Sequence, residues 1–203
     1  EEDTELLSDF PRFDPNRALV VIDPVDGTLN YSSRSPDYAV MGSLILNGYE
    51  SASVVYFPSW GILYSAIKDK GSWYRDLRDK KGSQRLEIAD LTSNEILVPP
   101  RSFNALQFVL QESGYSPLIS RCSAVDSTVP VHGKGCASLS VNPTDRRKAV
   151  GYLITKEAGG CILIGGKVWE GQDPLTHLQV KSPVVVAGSL KKAHELNGIC
   201  KLS

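Results

Sequence analysis

The apolar run Leu19-Val20-Val21-Ile22 passes directly into Asp23-Pro24-Val25-Asp26-Gly27-Thr28. Few folds accept two carboxylates, a hydroxyl and a glycine at the end of a strand. The run predicts a buried strand. Pro24 holds Asp23 extended and removes a backbone donor, while Gly27 allows a tight turn and the close approach of an anion. Asp26, Thr28 and the Val25 carbonyl then converge on one small volume. Hard divalent cations such as Mg2+ take one or two carboxylates and keep positions for water and phosphate. The amides of Gly27 and Thr28 would face the same anion if a helix begins there. The segment D-P-x-D-G is also ordinary turn chemistry, with Asp and Gly serving only the backbone.

The rest of the chain predicts α+β. Ala39 to Leu46 reads as a strand, Asn47-Gly48 as a hairpin turn, and Ser51 to Phe57 as the return. Ile62 to Lys68 and Ser72 to Arg75 continue a meander, Ile96 to Val98 reads as another strand, and Asn104 to Ser113 has helical periodicity. Tyr56, Phe57, Trp60, Tyr64, Trp73 and Tyr74 read as core and sheet-face packing. A composition break over Gly114 to Ser120 divides the chain into 1–118 and 119–203. In the second part, Arg146 to Ala158 reads as a helix capped by Asp145 and stopped at Gly159-Gly160. Strands are expected at Cys161 to Ile164 and Val184 to Ala187. A closing helix is expected over Ser189 to Asn197, with Ser189 as N-cap and Gly198 as stop.

Composition removes several classes of function. The 22 basic and 23 acidic residues give a net charge of −1, so no general attraction to a nucleic-acid polymer or a membrane is expected. No apolar stretch reaches the ~18 residues of a membrane span, and the polar, acidic start is unlike a secretory leader. Cys122, Cys136, Cys161 and Cys200 form no C-x-x-C pair and read as reduced thiols of a cytoplasmic protein. His132, His177 and His194 show no metal-ligand spacing and read as surface or loop histidines.

The stretch Val21-Ile22-Asp23-Pro24-Val25-Asp26-Gly27-Thr28-Leu29-Asn30-Tyr31 resembles the signature of the inositol monophosphatase superfamily, Mg2+-dependent and lithium-sensitive phosphatases. Ser35 to Met41, Gly48 to Pro58, Gly61 to Ala66, Glu157-Ala158-Gly159-Gly160 and Val185 to Gly188 extend the resemblance over most of the chain. It implies the layered α-β-α-β-α sugar-phosphatase fold, with the metal site between the two halves. The chain begins at Glu1, and the resemblance implies that the family's N-terminal helices are missing from it. With them goes an aspartate that pairs with the threonine matching Thr28. The resemblance further implies that Asp23, Asp26 and the Val25 carbonyl bind metal, that Thr28 orients the attacking water, and that the Gly27 and Thr28 amides hold phosphate. The family takes another metal-binding glutamate from about twenty residues before the signature. Glu1, 22 positions before Asp23, is the candidate.

The family's last aspartate ligand lies ten residues before the E-A-G-G glutamate. Without gaps that position is Arg147; a two-residue insertion after Asp145 makes Asp145 the match. The first register would put a cation into the metal site, the second a carboxylate. Arg146, Arg147 and Lys148 would sit in a helix's first turn, where the macrodipole disfavours cations. Family members that bind inositol use an acid just before this point, and Ala137 to Asn142 contains none. The resemblance thus implies a phosphate monoester hydrolase acting on a small sugar, inositol or nucleotide phosphate, with Mg2+ as cofactor and a homodimer as the candidate assembly. The alternative is a catalytically impaired member acting as a phosphate-binding or assembly module.

Overall fold

The computed structural model describes residues 18–88, 93–141, 150–172 and 182–200. Strand β1 (Leu19–Asp26) runs into a short helix, α1 (Thr28–Ser32). There follow β2 (Ala39–Leu46), β3 (Tyr49–Phe57), β4 (Ile62–Ile67), β5 (Gly71–Asp76) and β6 (Gln84–Leu86). The six strands form one antiparallel sheet in chain order. This is the meander that the turn signals predict. At the β2–β3 hairpin Asn47 and Gly48 have φ of 51° and 76°, the two left-handed positions that a two-residue hairpin requires.

The second half continues with β7 (Glu95–Val98), α2 (Pro100–Glu112), β8 (Ser116–Ile119), α3 (Ser123–Ser127), α4 (Val129–His132) and β9 (Ala137–Ser140). It ends with α5 (Tyr152–Glu157), β10 (Cys161–Ile164), β11 (Lys167–Val168), β12 (Val184–Ala187) and α6 (Leu190–Ile199). The second sheet has the order β11-β10-β12-β9-β7-β8 and takes strands from both sides of residue 118. It is mixed: β7 pairs in parallel with β8 and β9, and the other pairs are antiparallel.

Both faces of the second sheet are buried at its central strands. On β12, Val184 and Val186 join a core with the inner face of the first sheet and with Leu153 and Ile154 of α5. Val185 and Ala187 face the opposite way, onto Leu106 and Leu110 of α2 and Leu196 of α6. Helices α3, α4 and α5 therefore form a middle layer, and the described layers run β-α-β-α. Each fully buried Leu, Ile or Phe, such as Leu153, Ile154 and Phe57, stabilises this stack by about 1.5–3 kcal/mol. A buried Ser72 hydroxyl donates to the Ile154 carbonyl at 2.6 Å and fixes α5 to the first sheet.

The outer face of the first sheet is different. Val20, Ile22, Val54 and Ile67 project from it into solvent, Val20 and Ile22 more than half exposed. The expectation of a buried first strand is thus met on one side only, because no described element covers the outer side. Several boundaries also move. Helix α2 starts at Pro100 instead of Asn104, since proline suits the first helical position. Helix α5 starts at Tyr152 with Gly151 as its N-cap residue; Asp145, the expected cap, and the basic run 146–148 lie outside the described residues. Ser189 caps α6, accepting the Lys192 amide at 3.3 Å, but Gly198 lies inside that helix. The buried Leu196 and Ile199 offset the roughly 1 kcal/mol that a glycine costs there.

Candidate metal and phosphate site

Asp23 pairs with Met41 and Asp26 with Ala39, so three steps along β1 match two along β2. That is a one-residue bulge at Pro24-Val25. In a regular strand, residues three apart point to opposite faces. Cross-strand partners point the same way, and Met41 and Ala39 both lie in the core. The bulge therefore turns both carboxylates to the inner face, with their backbones about 7 Å apart. Asp23 is 7% exposed and Asp26 is 9% exposed. Asp23 Oδ1 accepts the Val25 amide at 3.1 Å, which stiffens the turn.

Asp26 is held from the far side of the molecule. Its Oδ1 accepts the Ser123 hydroxyl at 2.5 Å; its Oδ2 accepts the Ala124 amide at 2.7 Å and the Cys122 thiol at 3.0 Å. All three donors come from the start of α3, and all three are neutral. The carboxylate is thus solvated by the protein while its charge is not cancelled by any cation among the described residues. Burial first, and the Asp26 charge second, push the Cys122 thiol far above its usual range. The thiol stays protonated and acts as a donor. A cavity of about 540 Å3 opens on the other side of Cys122, lined also by Asn30, Asp37, Arg121 and Lys134.

Gly27 follows in the left-handed region, φ 78° and ψ 41°, as the N-cap residue of α1. A Cβ there would lie 3.0 Å from the Asp37 carbonyl oxygen and 3.2 Å from the Cys122 Cβ. Asn30 Nδ2 donates to that same carbonyl at 2.7 Å and ties α1 to the loop that follows it. Thr28 is exposed at the first position of α1, where a backbone amide has no intrahelical acceptor.

This loop is clamped by rings. Phe57 stacks on Trp60 at 4.1 Å between centroids, and His132 meets the Trp60 edge at 5.5 Å. The Lys134 ammonium lies 4.1 Å from the Trp60 centroid and pairs with Asp37 at 2.5 Å. His132 is therefore a packed residue, against the expectation of a surface or loop position. Its Nε2–H donates to the Val125 carbonyl at 2.9 Å and its Nδ1 accepts the Lys134 amide at 3.1 Å. Burial is the main cause that brings its pKa down from 6.5 to about 4. The unfolded chain then binds the proton more tightly, so this residue's share of stability is intact above about pH 6.5 and is lost as pH falls toward 4, by up to about 3 kcal/mol. Urea unfolding midpoints are expected to fall over that window, and a His132→Gln variant is expected to flatten the fall.

Of the residues singled out from the sequence, Asp23, Val25, Asp26, Gly27 and Thr28 occupy one strand end; Glu1 and Asp145 lie outside the described residues. Among the described residues no three His, Cys, Asp or Glu side chains form a metal-ligand cluster. Glu157, of the E-A-G-G segment, has a structural role: it accepts the Asp69 and Gly71 amides at 3.0 and 2.9 Å and shapes the β4–β5 turn. Cys122, Ser123 and Ala124 escaped the sequence reading, because nothing local marks a five-residue helix that works almost a hundred residues from its partner. Cys122, Cys136 and Cys161 are free thiols, in line with the expectation for them, and no helix among the described residues is long and apolar enough to cross a membrane.

Known proteins resemble this chain in sequence and in fold. The chain is 26% identical over 182 residues to Nus factor SuhB of Pasteurella multocida, an alignment covering 85% of this chain and 66% of that protein. It is also 26% identical over 156 residues to inositol-1-monophosphatase ImpA of Mycolicibacterium smegmatis, covering 74% and 49% respectively. The chain thus spans less than two thirds of the length of either relative. A solved IMPase/NADP phosphatase complexed with Mg2+ and phosphate has the same fold, with a TM-score of 0.68 at 20% identity over 92% of this chain and 68% of that one. The model of the inositol monophosphatase family matches residues 5–202, and the chain belongs to that family.

Proposed function

We propose that the protein hydrolyses a phosphate monoester of a small sugar, inositol or nucleotide with Mg2+ as cofactor. The observation that carries this reading is the bulge that turns Asp23 and Asp26 to one nearly buried face. Two carboxylates so placed, one with only neutral partners, favour a countercharge in the site, and a donor set made of oxygen suits a hard cation. Asp23, Asp26 and the Val25 carbonyl, with Glu1 and Asp145 from outside the described residues, would hold it. When bound, Mg2+ supplies Lewis acidity toward phosphoryl oxygens and acidifies water.

The chain's own groups do the rest. The Gly27 and Thr28 amides would bind the phosphate, and donors fixed in place need not reorganise as charge develops. The Thr28 hydroxyl would orient the water. A covalent thiol route is disfavoured because Cys122 stays protonated, and His132 is committed to the Val125 carbonyl. Both support direct hydrolysis by water.

The test is phosphate release by the intact protein over a panel of inositol, sugar and nucleotide phosphates. Turnover is expected with Mg2+, none after chelation, and Asp23→Asn is expected to lower kcat/KM at least roughly a hundredfold. No turnover with any substrate would overturn the hydrolase reading. It would leave the second one, a phosphate-binding or assembly module, which the designation of the Pasteurella relative as a Nus factor favours.

A further inference from the structure

We infer that Cys122 restricts Asp26 to binding a cation through Oδ1 alone and thereby biases the site toward Mg2+ over Ca2+; this rests on the metal-site reading above. A carboxylate offers about four lone-pair positions. On Asp26, Oδ2 has both of its positions filled, by the Ala124 amide at 2.7 Å and the Cys122 Sγ at 3.0 Å. Oδ1 has one filled, by the Ser123 hydroxyl at 2.5 Å. One position remains, and it is on Oδ1.

Neither donor on Oδ2 can easily turn away. The Ala124 amide is fixed by the backbone at the start of α3, and Ala124 is fully buried. Cys122 is also buried, and its Cβ and Sγ lie 3.2 and 3.3 Å from where a Cβ on Gly27 would stand, so the thiol is wedged between Asp26 and the turn. The consequence follows from cation size. Mg2+ takes near-ideal octahedral geometry and is content with single carboxylate oxygens, whereas Ca2+ takes more ligands and commonly uses both oxygens of a carboxylate. Blocking Oδ2 withholds the second oxygen from Ca2+ and costs Mg2+ nothing. Cys122 is a positioning residue for Asp26, with metal selectivity as its product.

The experiment measures Mn2+ bound by the intact protein by electron paramagnetic resonance, with Mg2+ and Ca2+ as competitors. The quantity read is the ratio of the two competition constants, a ratio that a uniform loss of folded protein does not move. Cys122→Ala is expected to shift the ratio toward Ca2+ by roughly tenfold, and Cys122→Ser, which keeps a donor, is expected to hold the wild-type ratio. Ser123→Ala leaves Oδ2 filled and is expected to hold it too, while Cys122→Val, which fills the thiol's space without a donor, is expected to shift the ratio as Cys122→Ala does and keeps the test decisive if Cys122→Ala folds poorly. With Mn2+ still bound, an unchanged ratio in Cys122→Ala, or an equal shift in Ser123→Ala, would overturn this inference alone. Absence of Mn2+ binding by the wild type would overturn the metal-site reading and this inference with it.

Discussion

Asp26→Ala is expected to lower the melting temperature of the metal-free protein by roughly 10 °C, about 3 kcal/mol in a domain of this size, while Asp26→Asn melts close to the wild type. Removing one acid from an acidic pair would ordinarily relieve repulsion and stabilise the apo state. Here the carboxylate is also the acceptor for the start of α3. Alanine leaves the buried Ala124 amide without its acceptor, 2.7 Å away in the wild type, and an unpaired buried donor costs about 1–3 kcal/mol before the cavity is counted. Asparagine can turn its carbonyl toward Ala124 and Cys122 and its amide toward Ser123, whose hydroxyl also accepts. That arrangement satisfies the protein and leaves no lone pair aimed at a cation, so both variants are expected to lose Mn2+ binding. Calorimetry on the two variants with and without Mn2+ checks this. If asparagine destabilises as much as alanine, the donor assignment at Asp26 is wrong.

Gly27→Ala is the second large effect, and Gly48→Ala is its built-in control. Both glycines have nearly the same left-handed φ, 78° and 76°, so both variants suffer the backbone penalty of about 1–2 kcal/mol. Around Gly48 a Cβ meets nothing within 4 Å, whereas at Gly27 it meets the Asp37 carbonyl oxygen at 3.0 Å and Cys122 at 3.2 Å. The carbonyl cannot yield without breaking its bond to Asn30, and a forced contact in a packed site adds about 1–3 kcal/mol. Gly27→Ala is therefore expected to lose roughly twice as much stability as Gly48→Ala in urea unfolding. It is also expected to weaken Mn2+ binding, which Gly48→Ala leaves intact. Equal losses at the two positions would show that the turn at Gly27 is not closely packed.

The contrast between these glycines shows what could be read from the chain. The Asn47-Gly48 hairpin is a local feature, determined by two residues whose chemistry admits the required φ, and it was legible together with both strands it joins. The aspartate pair was legible as a motif, but its geometry was not: the bulge exists only as a mismatch with Met41 and Ala39 across the sheet. Strand β8 was missed because Pro117 and the largely exposed residues around it suit an edge strand and carry no alternation. Strand β9 was missed because four short residues, Ala137 to Ser140, are too few to show a period. The apolar spacing through Val150 favours an unbroken helix into α5, whereas Gly151, at φ 107°, sets its start at Tyr152. His132 was misjudged for a related reason: its ring partners Phe57 and Trp60 lie more than seventy residues away in the chain.

The outward side of the first sheet, uncovered among the described residues, also bears on behaviour in bulk. Valines and isoleucines displayed together form an adhesive plane, and excluded salts such as ammonium sulfate strengthen the attraction between such planes. Wherever that side stays uncovered, ammonium sulfate is expected to salt the chain out reversibly on dilution, independently of the chemistry at Asp23 and Asp26.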